Sequence, residues 1–249
     1  MQWDTSIFVD ALTSSALIHG ALITIALTVS AWCGAQIVGS VLAVGRTSRF
    51  RVVRGAVVGY LWFFRAVPLL LQLLFVWNAL PQLVPDLKSD WFTPFIAAFV
   101  ALTLHEAAYM AEITRSGLMS VDPGQRDAAR ALGMTTGQTY RHVIVPQAVR
   151  VMIPPSANEF ITLLKLTSLA SVISLAELLT VTQQDVAVNF RFAELYAAAT
   201  VYYLVMVSLL MIGQSYLERR FQWRSRARTQ TAAPEQTTLE SLEYAHDAR

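Results

Sequence analysis

The sequence predicts an all-α, polytopic membrane protein with five transmembrane helices, its N-terminus outside and its C-terminus inside. Three observations carry this expectation. Only 14% of the 249 residues are charged while 55% are hydrophobic. Five stretches are long and apolar enough to cross a bilayer, and arginines gather in alternate connecting segments. A soluble domain carries about 25% charged residues, so nearly half the charge needed to cover a water-facing surface is missing. A formal net charge of +2 with this hydrophobicity excludes a disordered chain, and 11 glycines and 9 prolines exclude collagen-like or low-complexity sequence.

A hydrocarbon core about 30 Å thick needs about 20 mainly apolar residues of α-helix. Residues 16–44, 55–80, 91–113, 149–181 and 195–217 meet that requirement. The fourth stretch is interrupted by Pro154, Pro155, Asn158, Glu159 and Lys165, which predicts a span followed by a second short helix or a re-entrant piece. Cytoplasmic loops retain Lys and Arg, which sets the orientation. Arg46, Arg49, Arg51 and Arg54 lie between the first two spans, and Arg115, Arg126, Arg130, Arg141 and Arg150 between the third and fourth. Arg219, Arg220, Arg224, Arg226 and Arg228 follow the last, whereas the opposite side has only Lys88 and Arg191. Trp3, Trp62, Trp91 and Trp223 are candidate interfacial anchors, with Trp62 alternatively packed inside. The single Cys33 has no thiol to pair with and reads as a small buried packing residue. The opening Met-Gln-Trp-Asp-Thr lacks a basic n-region, so insertion is expected to depend on the spans themselves. Residues 222–249, rich in Arg, Thr, Gln, Glu and Ala, read as a cytoplasmic tail of low order whose basic start can lie against lipid headgroups.

The long loop between the third and fourth spans has helix signals of its own. Asp122 can cap a helix with Pro123 at its first position and Gln125 placed to reach back to the cap, which predicts a helix over 125–132. Gly133 suits a left-handed stop, and Thr135 with Gln138 repeats the capping pattern. A second short helix should then run toward Val143 and end before Pro146. Two readings fit such a compact pair: a surface on which another protein docks, offered by Ala128, Ala129 and Ala131 among arginines, or an interfacial pair holding lipid headgroups.

Asp127-Ala128-Ala129, Gly133 and Ile144-Val145-Pro146 resemble the EAA signature of permeases from binding-protein-dependent ABC importers. Asp127 stands for that family's usual Glu and Val145 for its Leu, both conservative departures. Phe64-Arg65-Ala66-Val67-Pro68-Leu69-Leu70, Ala108-Tyr109-Met110-Ala111-Glu112-Ile113, Asn158-Glu159-Phe160 and Leu164-Lys165-Leu166-Thr167-Ser168-Leu169 look like the polar amino acid branch. The resemblance runs over roughly residues 16–220. It implies the type I importer permease (MetI-like) fold in the cytoplasmic (inner) membrane, with a permease domain over 1–221 and a coupling loop over 114–148. It also implies a second permease, identical or homologous, a dimer of ABC ATPases and an extracytoplasmic solute-binding protein as partners. Asp127, Ala128, Ala129, Gly133, Ile144 and Pro146 would then be the coupling residues, moved when ATP closes the ATPases. The chain has no G-x-x-x-x-G-K-[ST] and its only lysines are Lys88 and Lys165, so hydrolysis is expected from the partner and no catalytic residue, cofactor, metal or nucleic acid from this chain.

Arg65, near the middle of the second span, and Glu106, Glu112, Glu159, Lys165 and Glu177 fall in apolar stretches. Each charge at the bilayer centre costs at least about 2.5–3.5 kcal/mol, so such groups should face one another or an aqueous path. One reading is a substrate route lined by Arg65, Glu106, Asn158, Glu159, Lys165, Thr167 and Ser168. The other is a set of ion pairs fixing helix register, such as Arg65 with Glu106 or Glu159. Glu112 and Arg115, at the cytoplasmic end, need no special role, and His105 reads as hydrogen-bonded packing rather than a proton relay. Relatives carry an acidic residue where Leu166 stands, which argues against a cationic substrate, and Glu106-Ala107-Ala108-Tyr109 resembles relatives that serve glutamate and aspartate. Glutamate, aspartate or glutamine is therefore the expected cargo. A stand-alone ion-coupled amino acid carrier is the alternative, but it needs more spans or an inverted repeat and leaves the capped helix pair without a purpose. A membrane-embedded enzyme is disfavoured, since 4 histidines and 1 cysteine form no H-E-x-x-H or Cys pair.

Overall fold

A computed structural model describes residues 3–221. The chain starts with a short helix α1 (Thr5–Thr13), capped by the Asp4 carboxylate, which accepts from the Ser6 amide at 3.0 Å. The Ser6 hydroxyl and that amide hold the Asp4 carboxyl below the usual carboxylate range. Ser14 turns the chain into α2 (Ser15–Arg46), whose 32 residues make a rod about 48 Å long. Along it a small residue recurs every fourth position, and Ala31, Ala35, Gly39 and Ala43 are all buried. That stripe lets α2 lie close against α6 (Pro94–Met119), the most deeply buried helix. At Gly39 the approach leaves no room, because an added Cβ would stand 2.6 Å from the Met110 Cβ.

Between these two rods lies α3 (Arg51–Ala66), held to α6 by the Tyr60 hydroxyl, which donates to the Leu104 carbonyl at 2.7 Å. Pro68 disfavours helix at the residue before it, and Val67 is accordingly extended at φ −85°, ψ 130°. The chain bends by 104° there and continues as α4 (Leu69–Leu74), a π-helical turn (Phe75–Ala79), α5 (Leu80–Leu83) and a 3-10 turn (Pro85–Lys88). Gln72 stitches the break, its amide donating to the Val67 and Phe64 carbonyls at 2.8 and 3.1 Å. Arg65 is therefore at the exposed end of a helix, not in the middle of a straight span.

Beyond α6 come α7 (Pro123–Ala131), α8 (Thr136–Thr139), a π-helical turn (Tyr140–Ile144) and α9 (Val145–Leu166). The expected stop at Pro146 is absent. Proline lacks an N–H, and the π-helical turn directly before α9 lets the helix pass the one bond that Pro146 cannot make. The helix also runs on through Pro154 and Pro155. A 3-10 turn (Thr167–Ile173) and Ser174 at φ 59° lead into α10 (Leu178–Asn189), bent by 48° from the preceding run, as the interrupted fourth stretch predicted. The buried Glu177 carboxylate caps α10 by accepting from the Leu179 and Thr180 amides at 2.9 and 2.7 Å. The last element is α11 (Phe192–Phe221).

Three helices are long and apolar enough to cross a membrane, and five spans result if each bent pair counts as one. One buried cluster joins α2, α4, α6 and the 3-10 turn after α9, and a second joins α1, the start of α2, α10 and α11. Outward faces carry Ile37, Val41, Val52, Leu204, Leu209 and Ile212, as a lipid-facing surface requires. Trp62 is 71% exposed, so it does not pack inside, and Trp3 and Trp91 are exposed too. Cys33 is exposed rather than buried, two positions along α2 from the Ala31 and Ala35 face. Trp223, Arg224, Arg226, Arg228 and the rest of the 222–249 tail lie outside the described residues.

Candidate functional site

The α7–α8 hairpin is built almost entirely from local capping. Asp122 accepts from the Gly124 amide at 2.7 Å. At the other end Met134 N–H donates to the Ala129 carbonyl at 3.1 Å and Gly133 N–H to the Arg130 carbonyl at 2.9 Å, with Gly133 at φ +75°. That is a Schellman stop, the left-handed corner expected of a C-terminal glycine. Thr135 and Gln138 then close a full capping box at 2.9 and 3.3 Å.

The hairpin is anchored by one face and bare on the other. Ile144 is fully buried against Val121 and Ala148, and Ala129 is buried as well. Arg126 lies 5.7 Å from the Tyr140 ring centre and donates to the Leu118 carbonyl at 3.4 Å. Asp127, Ala128, Gly133 and Pro146 are exposed. So is Leu132, at 81%, an apolar knob beside the glycine corner. Of the six candidate coupling residues, Ile144 and Ala129 therefore act as anchors, while the outward surface is Asp127, Ala128, Leu132 and Gly133. In the sequence Leu132 reads only as the last residue of a helix; its direction follows from the turn geometry.

The charged groups of the spans do not form the expected pairs. Arg65 lies 5.5 Å from the Tyr109 ring centre and makes no ion pair with Glu106 or Glu159. Arg65→Ala is accordingly expected to change stability by no more than about 1 kcal/mol, measured as the melting temperature of the purified protein. Glu106 is 1% exposed and its Oε1 has no hydrogen-bond partner among the described residues. Glu159, half-buried on α9, is near enough for its charge to act on Glu106. His105 packs 3.2 Å from the Gln72 amide and against Tyr109. Asn158 is exposed and accepts from Gln214 of α11 at 2.8 Å. Thr167 is fully buried and donates to the Leu164 carbonyl. Ser168 donates to the Lys165 carbonyl.

The C-terminal ends of α2 and α6 are joined by a cluster that no local sequence pattern signals as a whole. The Glu112 carboxylate accepts from Arg46 of α2 through one oxygen and from Arg115, one turn on, through the other. The Arg115 half is an i,i+3 pair visible in sequence; Arg46 is 66 positions away. Glu112→Ala is expected to lower stability by about 1–2 kcal/mol, read as a fall in melting temperature, because two guanidinium groups then face each other unscreened. An unchanged melting temperature would show that the cluster is only a surface ornament.

With this geometry in place, comparison with known proteins decides the family. Residues 35–223 match the model of the binding-protein-dependent transport system inner membrane component. The chain belongs to that family. This inner-membrane component is 40% identical over 242 residues to the arginine transport system permease protein ArgU of Corynebacterium glutamicum, covering 92% of this chain and 75% of that protein. It is 36% identical over 222 residues to the glutamine transport system permease protein GlnP of Escherichia coli, covering 89% and 99%. Among solved structures, an amino acid ABC transporter with histidines matches with a TM-score of 0.80 at 34% identity, covering 88% of this chain and 100% of that chain. The fold expected from the EAA-like loop is therefore the fold this permease has, and its relatives are permease subunits rather than enzymes.

Proposed function

We propose that the chain is the translocating subunit of an ATP-driven, binding-protein-dependent importer of a polar amino acid. It pairs with a second permease, identical or homologous, rests on a dimer of ABC ATPases through the α7–α8 hairpin, and takes its cargo from an extracytoplasmic solute-binding protein. Five spans with the N-terminus outside put the hairpin on the ATPase side, in keeping with the arginine distribution. The observation that carries the reading is the hairpin itself: a doubly capped, internally stiff corner that leaves Asp127, Ala128 and Leu132 bare. A floppy loop would absorb the motion of the ATPases; a stiff one passes it to α6 and α9.

We favour glutamine over glutamate or aspartate as the cargo. The relatives named for glutamine and arginine point the same way, and arginine is the second candidate. The test is ATP-driven uptake in proteoliposomes holding the permease, its ATPase and its binding protein, combined with crosslinking from Ala128→Cys and Leu132→Cys. Crosslinks to the ATPase with ATP-dependent glutamine or arginine uptake support the reading. Accumulation by the permease alone would make it an ion-coupled carrier instead.

A further inference from the structure

A long cavity of about 750 Å³ lies between α2, α6, α9 and α11. On α9 it reaches from Val149 to Ile161, a length of about 18 Å. Met152, Ser156 and Phe160, each four residues on from the last, line it, whereas Asn158 and Lys165 lie on the opposite face of the same helix. None of the described residues that line it is charged. At the end farthest from the α7–α8 hairpin the Trp32 and Phe160 rings meet edge to face, with centres 5.5 Å apart. Its two glutamines are turned onto the protein: Gln36 donates to the Met110 sulfur at 3.0 Å, and Gln214 to Asn158 and Glu218 at 2.8 and 2.9 Å. The remaining wall is mostly aliphatic and aromatic carbon. A polar amino acid would leave its hydration there without replacement, so the cavity is no part of a cargo route.

Depth, width and charge identify what fills it. The cavity starts about 6 Å along α9 from the hairpin and continues for about the reach of one leaflet, half of a hydrocarbon core about 30 Å thick. Spread over that length, its volume leaves a channel about 7 Å across, too narrow for a helix about 10–12 Å wide. A second permease therefore cannot seat a helix in it. An alkyl chain fits, because its carbons touch their neighbours at about 4 Å. Residues 222–249 of this chain, rich in Arg, Thr, Gln and Glu, are too polar to enter. At the mouth stands Arg150, exposed, three residues before Ile153 and seven before Ala157 on the same side of α9. Its guanidinium suits a phosphate. We propose that the cavity holds an acyl chain of a membrane phospholipid whose phosphate meets Arg150. The bound chain completes the packing of α9 against α2 and α11, whose walls would otherwise face empty space.

The test titrates the full chain, purified in detergent with the subunits that accompany it, with a phosphatidylglycerol carrying a diazirine at the tip of one acyl chain. After irradiation the labelled residues are mapped by mass spectrometry. Label is expected around Trp32 and Phe160, above that at the outward positions Val41 and Ile212. Ala157→Trp, which blocks the channel half-way, should cut this labelling about fivefold or more, while Ile212→Trp on the outward face should leave it unchanged. Arg150→Gln should raise the lipid concentration for half-maximal labelling about fivefold. Label spread evenly over the outward faces would reveal only a general lipid belt and overturn the proposal, as would full labelling of Ala157→Trp. Unchanged half-saturation in Arg150→Gln overturns the placing of the phosphate. A disulfide between two copies of Phe160→Cys in a Cys33→Ser background would put the second permease there instead. None of these readouts needs ATP, so their failure leaves the importer reading standing.

Discussion

Replacing Gly133 by aspartate is expected to abolish ATP-driven uptake while the protein still reaches the membrane in normal amount. Gly133 sits at φ +75°, where a side chain costs about 1 kcal/mol or a little more, too little to unfold a bundle of this size. Nothing within 4 Å of the added Cβ would clash inside the chain, so the harm must come from outside it. The new carboxylate would stand at the exposed corner, at the negative end of the α7 dipole and beside Leu132, where the ATPase is proposed to seat. Asparagine tolerates the left-handed region almost as well and adds no charge. Gly133→Asn should therefore keep more uptake than Gly133→Asp, with both present at wild-type level by immunoblot. Normal transport by the aspartate variant would remove the hairpin from the coupling route.

The second large effect is structural. Gly39→Val is expected to destabilise the protein by about 3 kcal/mol or more, seen as poor yield and a much lower melting temperature in detergent. The added Cβ would lie 2.6 Å from the Met110 Cβ, 2.9 Å from the Ala111 amide nitrogen and 3.0 Å from the Ala107 carbonyl oxygen. Two of those three atoms are backbone and cannot swing aside, so α2 and α6 would have to separate along their shared seam. Gly59→Val is the matched control, since nothing lies within 4 Å of its Cβ. Equal losses from the two substitutions would mean that propensity, not packing, sets the cost.

Which features could be read in the sequence follows from how far apart their causes lie. Asp122, Pro123, Gly133, Thr135 and Gln138 act within one turn of themselves, so the helix, corner and helix of the loop were legible residue by residue. Pro146 misled because proline has two meanings: it ends a helix from the inside and starts one from the first turn, and only the π-helical turn before it decides between them. Arg65 reads as mid-span because the apolar run continues unbroken through Pro68, although that proline carries the signal for a bend. The small residues at 31, 35, 39 and 43 form the α2–α6 seam, which a helix assignment alone does not reveal, because a period of four in a wholly apolar helix is hard to tell from composition. Arg46 with Glu112, and Asn158 with Gln214, are tertiary pairs that no local pattern encodes. Cys33 shows the finest limit, since a shift of two positions around α2 turns a packing residue into an exposed thiol.

The absence of a stop at Pro146 has a mechanical consequence. From Thr136 to Leu166 the backbone is helical throughout, with no loop between the surface corner and the far end of α9. Such a rod behaves as a crank: α9 alone is about 33 Å long, so a tilt of about 5° at its base sweeps its tip by about 3 Å. That sweep is the width of a hydrogen bond, enough to grip or release a small molecule at the distal end without any rearrangement along the shaft.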